Sequence, residues 1–397
     1  MIQLRGRRYD TGEPVAVAID GDRIVSVDAV TPVGPVADWP WIAPGLVDLQ
    51  INGYGGIWFC KPGLTSDEVL KTLEPHFSYG ITRMLPTLVT ASHEALRDGF
   101  AAIRQAYERE AWVRDLVAGC HLEGPFISKE DGPRGAHPLQ HVRPADWDEF
   151  QKLQETAGGL IRLVTLAAEA EGAVEFIRKA VDADITIAIG HTAANSDQIA
   201  AAVDAGARLS THLGNGAHGQ IRRHPNYIWD QLGDSRLMAS IITDGHHLPP
   251  SVIRTMVETK GVSNIVITCD ASGLAGCAPG EYEMPDKAKV EILDNGAIVL
   301  AGQRQLLAGS GSETDACVAH AIDVGGVTMK DAFDMAGKNP SRLLGLEQVR
   351  LRRGSRADLV LFRRDTADGE SGATRINWLT TIAAGQIRFG NVPSEFE

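Results

Sequence analysis

Five apolar runs in this sequence each stop at a side chain able to bind a metal or move a proton. They are AGCHLEGP with Glu123, TIAIGHT with His191, LSTHLGNG with His212, IITDGHH with Asp244, His246 and His247, and IVITCDAS with Asp270. One carboxylate and two imidazoles form a known donor set for a catalytic zinc, which takes three protein ligands and keeps one position open for water. Glu123, His191 and His212 are therefore the expected metal ligands, and the expected chemistry is hydrolysis by a metal-activated water. Asp270 is the candidate to take a proton from that water and return it to the leaving group. No two of the ligands share a helix at i, i+4, so the centre is not of the HExxH type.

Around these residues lie candidates for substrate contact. His247 can orient a substrate or polarise its carbonyl. Its neighbour His246 competes for that role, and Asp244 can hold the loop. Asn215 and Gly216, in LGNGAHGQIRRHPN, offer an amide and a backbone donor to an anion. Arg222 and Arg223 follow as adjacent cations, and guanidinium forks suit phosphate. His137, in PRGAHP, lies in the loop after Glu123.

Such a site needs elements that bring distant segments to one mouth. Eight short apolar runs read as buried strands: APGLVDLQI, ITRMLPTLV, DLVAGCHLE, IRLVTLA, DITIAIG, ARLSTHL, LMASIIT and NIVITCD. Helical patterns such as EALRDGFAAIRQAYERE, GAVEFIRKAV and NSDQIAAAVDAG alternate with them. Alternating strand and helix predicts a parallel sheet. Eight such units predict an α/β fold of the closed (β/α)8 type, whose strand C-termini all open on one face. An open doubly wound sheet is the competing arrangement, but no Gly-rich phosphate loop follows the first strand. Two more helices are expected after the eighth strand, near TDACVAHAIDVG and MKDAFDMAG. Both chain ends read as short strands. The expected division is residues 1–45 and 346–397 pairing into one small β-sandwich domain, with the barrel over 46–345.

The 397 residues carry 44% hydrophobic residues and a formal net charge of −13. That charge argues against a nucleic-acid or anionic-membrane partner. Five scattered cysteines without a CxxC fit a reducing compartment. The N-terminus shows no apolar signal region, and no run approaches the ~20 apolar residues of a membrane span. A soluble, cytoplasmic protein is expected.

The motifs PGLVDLQINGYGG, HLEGPFIS, RGAHP, GHT, THLGNGA, TDGHH, CDAS and LAGS stand in the order found in N-acetylglucosamine-6-phosphate deacetylases, and over nearly its whole length the chain resembles that family of the amidohydrolase superfamily. The resemblance implies a (β/α)8 barrel flanked by a β-sandwich from both termini, and removal of acetyl from an N-acetylated amino sugar 6-phosphate. It places Glu123, His191 and His212 on the metal ligands and Asp270 on the general acid/base. His247 and His137 fall on substrate-contacting histidines, and Asn215, Gly216 and Arg223 on sugar-phosphate contacts. It also implies a homodimer in which the phosphate-contacting arginine can come from the partner subunit.

Two departures stand out. Where many superfamily members carry HxH and a second metal, this chain reads Gln50-Ile51-Asn52. Amides replace imidazole poorly as ligands, so one divalent ion per site is expected, with Zn2+ the expected metal and Gln50 counted among the substrate-side residues. THLGNGAH and RRHPNYIWDQL also differ from the usual family wording, which opens the identity of the sugar and the need for its phosphate. Two other readings follow from that: an N-acyl or cyclic-amide hydrolase acting on a non-phosphorylated substrate, and a non-catalytic scaffold that kept the barrel.

Overall fold

The computed structural model describes residues 1–32, 34–302, 306–366 and 373–393. All eight apolar runs form strands: β1 (Leu46–Ile51), β2 (Ile81–Val89), β3 (Cys120–Glu123), β4 (Ile161–Leu166), β5 (Thr186–Ile189), β6 (Leu209–Ser210), β7 (Met238–Ile242) and β8 (Ile265–Thr268). They pair in parallel in chain order. A parallel bridge between Ile51 and Ala271, with Asn52 N–H donating to Ala271 O at 2.8 Å, links the end of β1 to the segment after β8 and nearly closes the barrel. Every residue of β1, β7 and β8 is buried. Strands covered on both faces read as near-continuous apolar runs for this reason, interrupted in β1 by Asp48 and Gln50.

Inside the barrel, Leu49, Leu85, Leu163, Ala188, Leu209, Met238 and Val266 form one apolar cluster with Leu344. Strand β3 sets the polar His121 in the interior instead. Its Nδ1 lies 3.1 Å from Leu49 O and its Nε2 2.8 Å from Thr165 Oγ1, which in turn meets Thr211 Oγ1 at 2.7 Å. Side chains thus fill the barrel below the mouth rather than leaving a pore.

Several helices between strands begin on side-chain caps. Asn195 and Gln198 form a reciprocal capping box at the start of the helix Ser196–Ala205, as Thr65 and Glu68 do for Ser66–Leu73. The two helices expected after β8 are present at Thr314–Val324 and Met329–Phe333. Between β8 and them lies a three-stranded antiparallel sheet, Gly280–Glu283, Lys289–Ile292 and Ile298–Leu300, that the sequence reading did not anticipate.

Both chain ends meet in one seven-stranded sheet. Its order is Gln386–Gly390, Thr374–Ala383, Leu359–Thr366, Trp41–Pro44, Ile2–Arg8, Pro14–Asp20 and Arg23–Ala29. Within the expected C-terminal segment 346–397, residues 367–372 and 394–397 lie outside the described residues. The sheet keeps a core of its own around Leu4, Val17, Ile42, Leu359 and Ile382. It joins the barrel through stacked Phe333 and Phe362, and through Trp378, whose Nε1 donates to Asp315 at 2.9 Å. Among the described residues no helix is long and apolar enough to cross a membrane.

Candidate active site

The strand ends turn sharply where the chemistry sits. Six non-glycine residues in the described chain have positive φ, and His191 (50°), His212 (29°) and Asp270 (51°) are three of them. Left-handed backbone costs roughly 1–3 kcal/mol per residue and persists only where the surroundings enforce it. Each of these residues leaves its strand in that conformation and reaches the cavity at the barrel mouth.

There Glu123, His191 and His212, all buried, bring one ligand atom each within 4.8 Å of one another. Glu123 Oε1 lies 2.9 Å from His212 Nε2 and 3.3 Å from His191 Nε2, and the two Nε2 atoms are 3.1 Å apart. His191 Nδ1 sits 2.8 Å from the carbonyl oxygen of Pro133, which can only accept, so Nδ1 carries the proton and Nε2 presents its lone pair to Glu123. Fixing a tautomer through the far nitrogen is how ligating histidines are oriented. Among the described residues His212 Nδ1 is buried without a partner. Three donor atoms converging on one point, with one imidazole held in the ligating tautomer, suit a divalent cation. Burial alone would raise the Glu123 carboxyl, but the adjoining His191 and His212 rings outweigh it and hold Glu123 well below the usual carboxylate range.

Asp270 belongs to the same cluster. Its Oδ1 accepts from Gln50 Nε2 at 2.9 Å and from Asn52 Nδ2 at 2.7 Å, and the same Gln50 nitrogen donates to Glu123 Oε1 at 2.8 Å. Gln50 therefore bridges the two carboxylates. Burial, then the nearby Glu123 charge, push Asp270 up to about 6. A carboxyl poised near neutrality is suited to both taking and giving a proton.

The structure separates the two histidines of the DGHH segment. His247 Nδ1 meets Asp244 Oδ2 at 2.8 Å, and Asp244 Oδ1 accepts the backbone N–H groups of His246 and His247. Ser310 donates to the same Asp244 Oδ2 at 2.8 Å. Burial would raise Asp244, but the His247 hydrogen bond outweighs it and keeps the carboxylate ionised. Thus His247 has an anchored ring and an Nε2 left for a ligand, whereas Asp244 reaches His246 only through the backbone.

His137, Asn215, Gly216 and both His246 and His247 line the cavity with the metal-binding cluster. His137 Nδ1 is 2.8 Å from Thr90 Oγ1, and its ring packs edge-on against His191 with centroids 4.2 Å apart. Burial, then the nearby His191, lower His137 to about 3, so it is neutral. Gly216 (φ 53°) runs so close to His191 that a Cβ there would meet Nδ1 at 2.8 Å. Arg222 and Arg223 are exposed and do not line this cavity.

Three contributors were missed from sequence. Asn52 holds Asp270, Thr90 holds His137, and Asp48 lies fully buried beneath β8. Asp48 accepts from Thr268 Oγ1 at 2.6 Å, Cys269 N at 2.9 Å, Thr314 Oγ1 at 2.7 Å and Gln50 N at 2.7 Å, fixing the strand end that carries Asp270. A carboxylate inside a strand otherwise apolar was the available signal. The cavity encloses about 590 Å3, within the ~300–1,000 Å3 of small-molecule sites.

The chain is similar to known proteins over most of its length. The amidohydrolase family model matches residues 41–387. An N-acetylgalactosamine-6-phosphate deacetylase of Escherichia coli O157:H7 is 31% identical over 341 residues, covering 84% of this chain and 87% of the relative. The Homo sapiens N-acetylglucosamine-6-phosphate deacetylase is 33% identical over 334 residues, covering 81% and 79%. A mutant N-acetyl-D-glucosamine-6-phosphate deacetylase of Mycobacterium smegmatis, solved with N-acetyl-D-glucosamine-6-phosphate, superposes with a TM-score of 0.82 at 30% identity over 94% of both chains.

Proposed function

This chain belongs to the amidohydrolase family, and within it to the N-acetylglucosamine-6-phosphate deacetylases; from that premise we propose that it hydrolyses the acetamide of an N-acetylated amino sugar 6-phosphate, releasing acetate and the free amino sugar phosphate. The observation that carries this reading is the meeting of Glu123, His191, His212 and Asp270, from four strand ends, at one mouth.

Glu123, His191 and His212 would hold one divalent ion, with Zn2+ the expected metal, and when bound it supplies the Lewis acidity that lets water attack near neutral pH. Gln50 supports a single ion, because its neutral amide is a poor metal ligand and its nitrogen already donates to both Glu123 and Asp270. Asp270 takes the proton of the attacking water. Its Oδ1 is occupied by Gln50 and Asn52, which leaves Oδ2 for proton transfer. The protonated Asp270 then delivers that proton to the amine as the C–N bond breaks. His247, anchored on Asp244, presents Nε2 to the developing oxyanion. His137, Asn215 and Gly216 contact the sugar. We assign cytoplasmic location and a homodimer to this enzyme, in which the exposed Arg223 reaches the phosphate bound by the partner subunit. Residues 1–45 and 346–397 would form one domain beside the barrel.

A second reading, hydrolysis of a non-phosphorylated N-acyl or cyclic amide, is favoured by one observation: among the described residues, no Arg or Lys lines the cavity. Kinetics on N-acetyl-glucosamine, -galactosamine and -mannosamine, each with and without the 6-phosphate, separate the two. The deacetylase reading expects kcat/KM to drop sharply on loss of phosphate. Equal rates would favour the second reading.

A further inference from the structure

The cavity wall divides into two arcs around the barrel. Every histidine that lines it comes from the segments after β3, β5, β6 and β7. These segments, with Asn215, make one hydrogen-bonding arc. The segments after β8, β1 and β2 are neighbours because the barrel nearly closes between β8 and β1, and with Val89 at the end of β2 they contribute Trp58, Pro62, Met284, Leu306 and Leu307. Its polar members are engaged within the protein: Asn52 with Asp270, Thr90 with His137, Ser92 accepting from Ala95 N and Asp286 accepting from Ala288 N. The three-stranded sheet after β8 supplies Met284, from the turn that follows Gly280–Glu283.

An amide substrate placed at Glu123, His191, His212 and Asp270 must send its two substituents in diverging directions from the carbonyl carbon. The sugar, rich in hydroxyl groups and anionic, loses hydration on entry and needs donors and acceptors in return. Only the histidine arc offers them in number. The acyl group then points into the arc formed by the segments after β8, β1 and β2. An acetyl methyl alone would leave much of that apolar wall uncovered.

We propose that this apolar arc is an acyl pocket, and that the enzyme hydrolyses N-acyl amino sugar 6-phosphates whose acyl chain is longer than acetyl. The inference rests on the deacylation reading of the site. The reaction balances in the same way: water adds to the acyl carbon, the C–N bond breaks, and a propionate or butyrate leaves with the free amine. Burying added methylenes against Val89, Leu307 and Met284 offsets the lost mobility of the acyl chain.

The test measures kcat/KM for N-acetyl-, N-propionyl- and N-butyryl-glucosamine-6-phosphate. The acyl pocket requires the propionyl and butyryl substrates to stay within tenfold of acetyl. A larger loss overturns it, because an ill-fitting methylene in a closed pocket costs about 10–200-fold. Leu307→Phe and Ala95→Leu, which fill the arc from two sides, should each lower the butyryl-to-acetyl ratio at least tenfold; an unchanged ratio in both also overturns the proposal. Butyryl turnover without acetyl turnover would sink the deacetylase reading and leave the pocket standing. Good acetyl turnover with none of the longer chains does the reverse, and no turnover of any of them sinks both.

Discussion

Gly216→Ala tests how tightly the loop after β6 braces the metal-binding cluster. A Cβ at this position would lie 2.8 Å from His191 Nδ1 and 2.9 Å from Cε1. Reaching ordinary van der Waals separation requires the imidazole to retreat by roughly 0.6 Å. The ring has no slack for this. Its Nδ1 is bonded to Pro133 O at 2.8 Å, its Nε2 faces Glu123 at 3.3 Å, and His137 packs edge-on against it. An alanine at φ 53° adds a backbone cost of about 1–2 kcal/mol. Disturbing the partner that fixes a ligand typically weakens metal binding about 10–100-fold, or about 1.4–2.7 kcal/mol. Gly219→Ala is the matched control, since a Cβ there meets nothing within 4 Å. Competition with a calibrated chelator should show Gly216→Ala releasing its ion about 10–100-fold more readily than wild type, with Gly219→Ala unchanged. Wild-type ion affinity in Gly216→Ala would refute the claim that His191 is a braced ligand.

Asp270→Asn should keep its ion, because Asn can still accept from Gln50 and Asn52, while kcat falls about 10²–10⁴-fold; near-normal turnover would remove Asp270 from the chemistry. Arg223→Ala should raise KM for the phosphorylated substrate at least ~10-fold, the scale of a lost charge-assisted hydrogen bond, and leave the free sugar unaffected. Steady-state kinetics on both substrates decide this, and an unchanged KM would rule out the trans contact. Asp244→Asn should lower kcat/KM about 10–100-fold by removing the charge that anchors His247, with no loss of ion; loss of the ion instead would mean the segment supports the metal. Burial pushes Asp315 up to about 6. Its folded-state value thus exceeds the unfolded one, so the stability it contributes is present at low pH and lost as pH rises from about 4 through 6. Thermal melts should show Asp315→Asn gaining on wild type across that window, and a constant gap would contradict the assignment.

The barrel and its metal cluster were legible because the physics that buries a parallel strand also writes an apolar run, and the run ends where the mouth begins. Glu123, His191 and His212 could be placed at one opening before any coordinates. Asp48 was not, since its partners Thr268 and Thr314 lie 220 and 266 residues away and only the closed barrel joins them. Asn52 was read as a lost ligand, and its bond to Asp270 depends on the β1–β8 closure. The three-stranded sheet did leave a mark, the Asp294-Asn295-Gly296 turn between two alternating segments, and Asn-Gly is a strong hairpin signal. Its strands of three and four residues are too short to stand out beside the barrel runs. Arg223 shows the opposite limit. The sequence identifies a cation but cannot say that its own cavity lies out of reach.

The central claim is that Glu123, His191 and His212 hold one catalytic ion. Metal analysis of the purified protein, with Glu123→Ala, His191→Ala and His212→Ala alongside, tests it most directly. The account predicts one divalent ion per wild-type chain, and loss of both ion and amide hydrolysis in each variant. Two ions per chain, or full occupancy in any of the three variants, would contradict it.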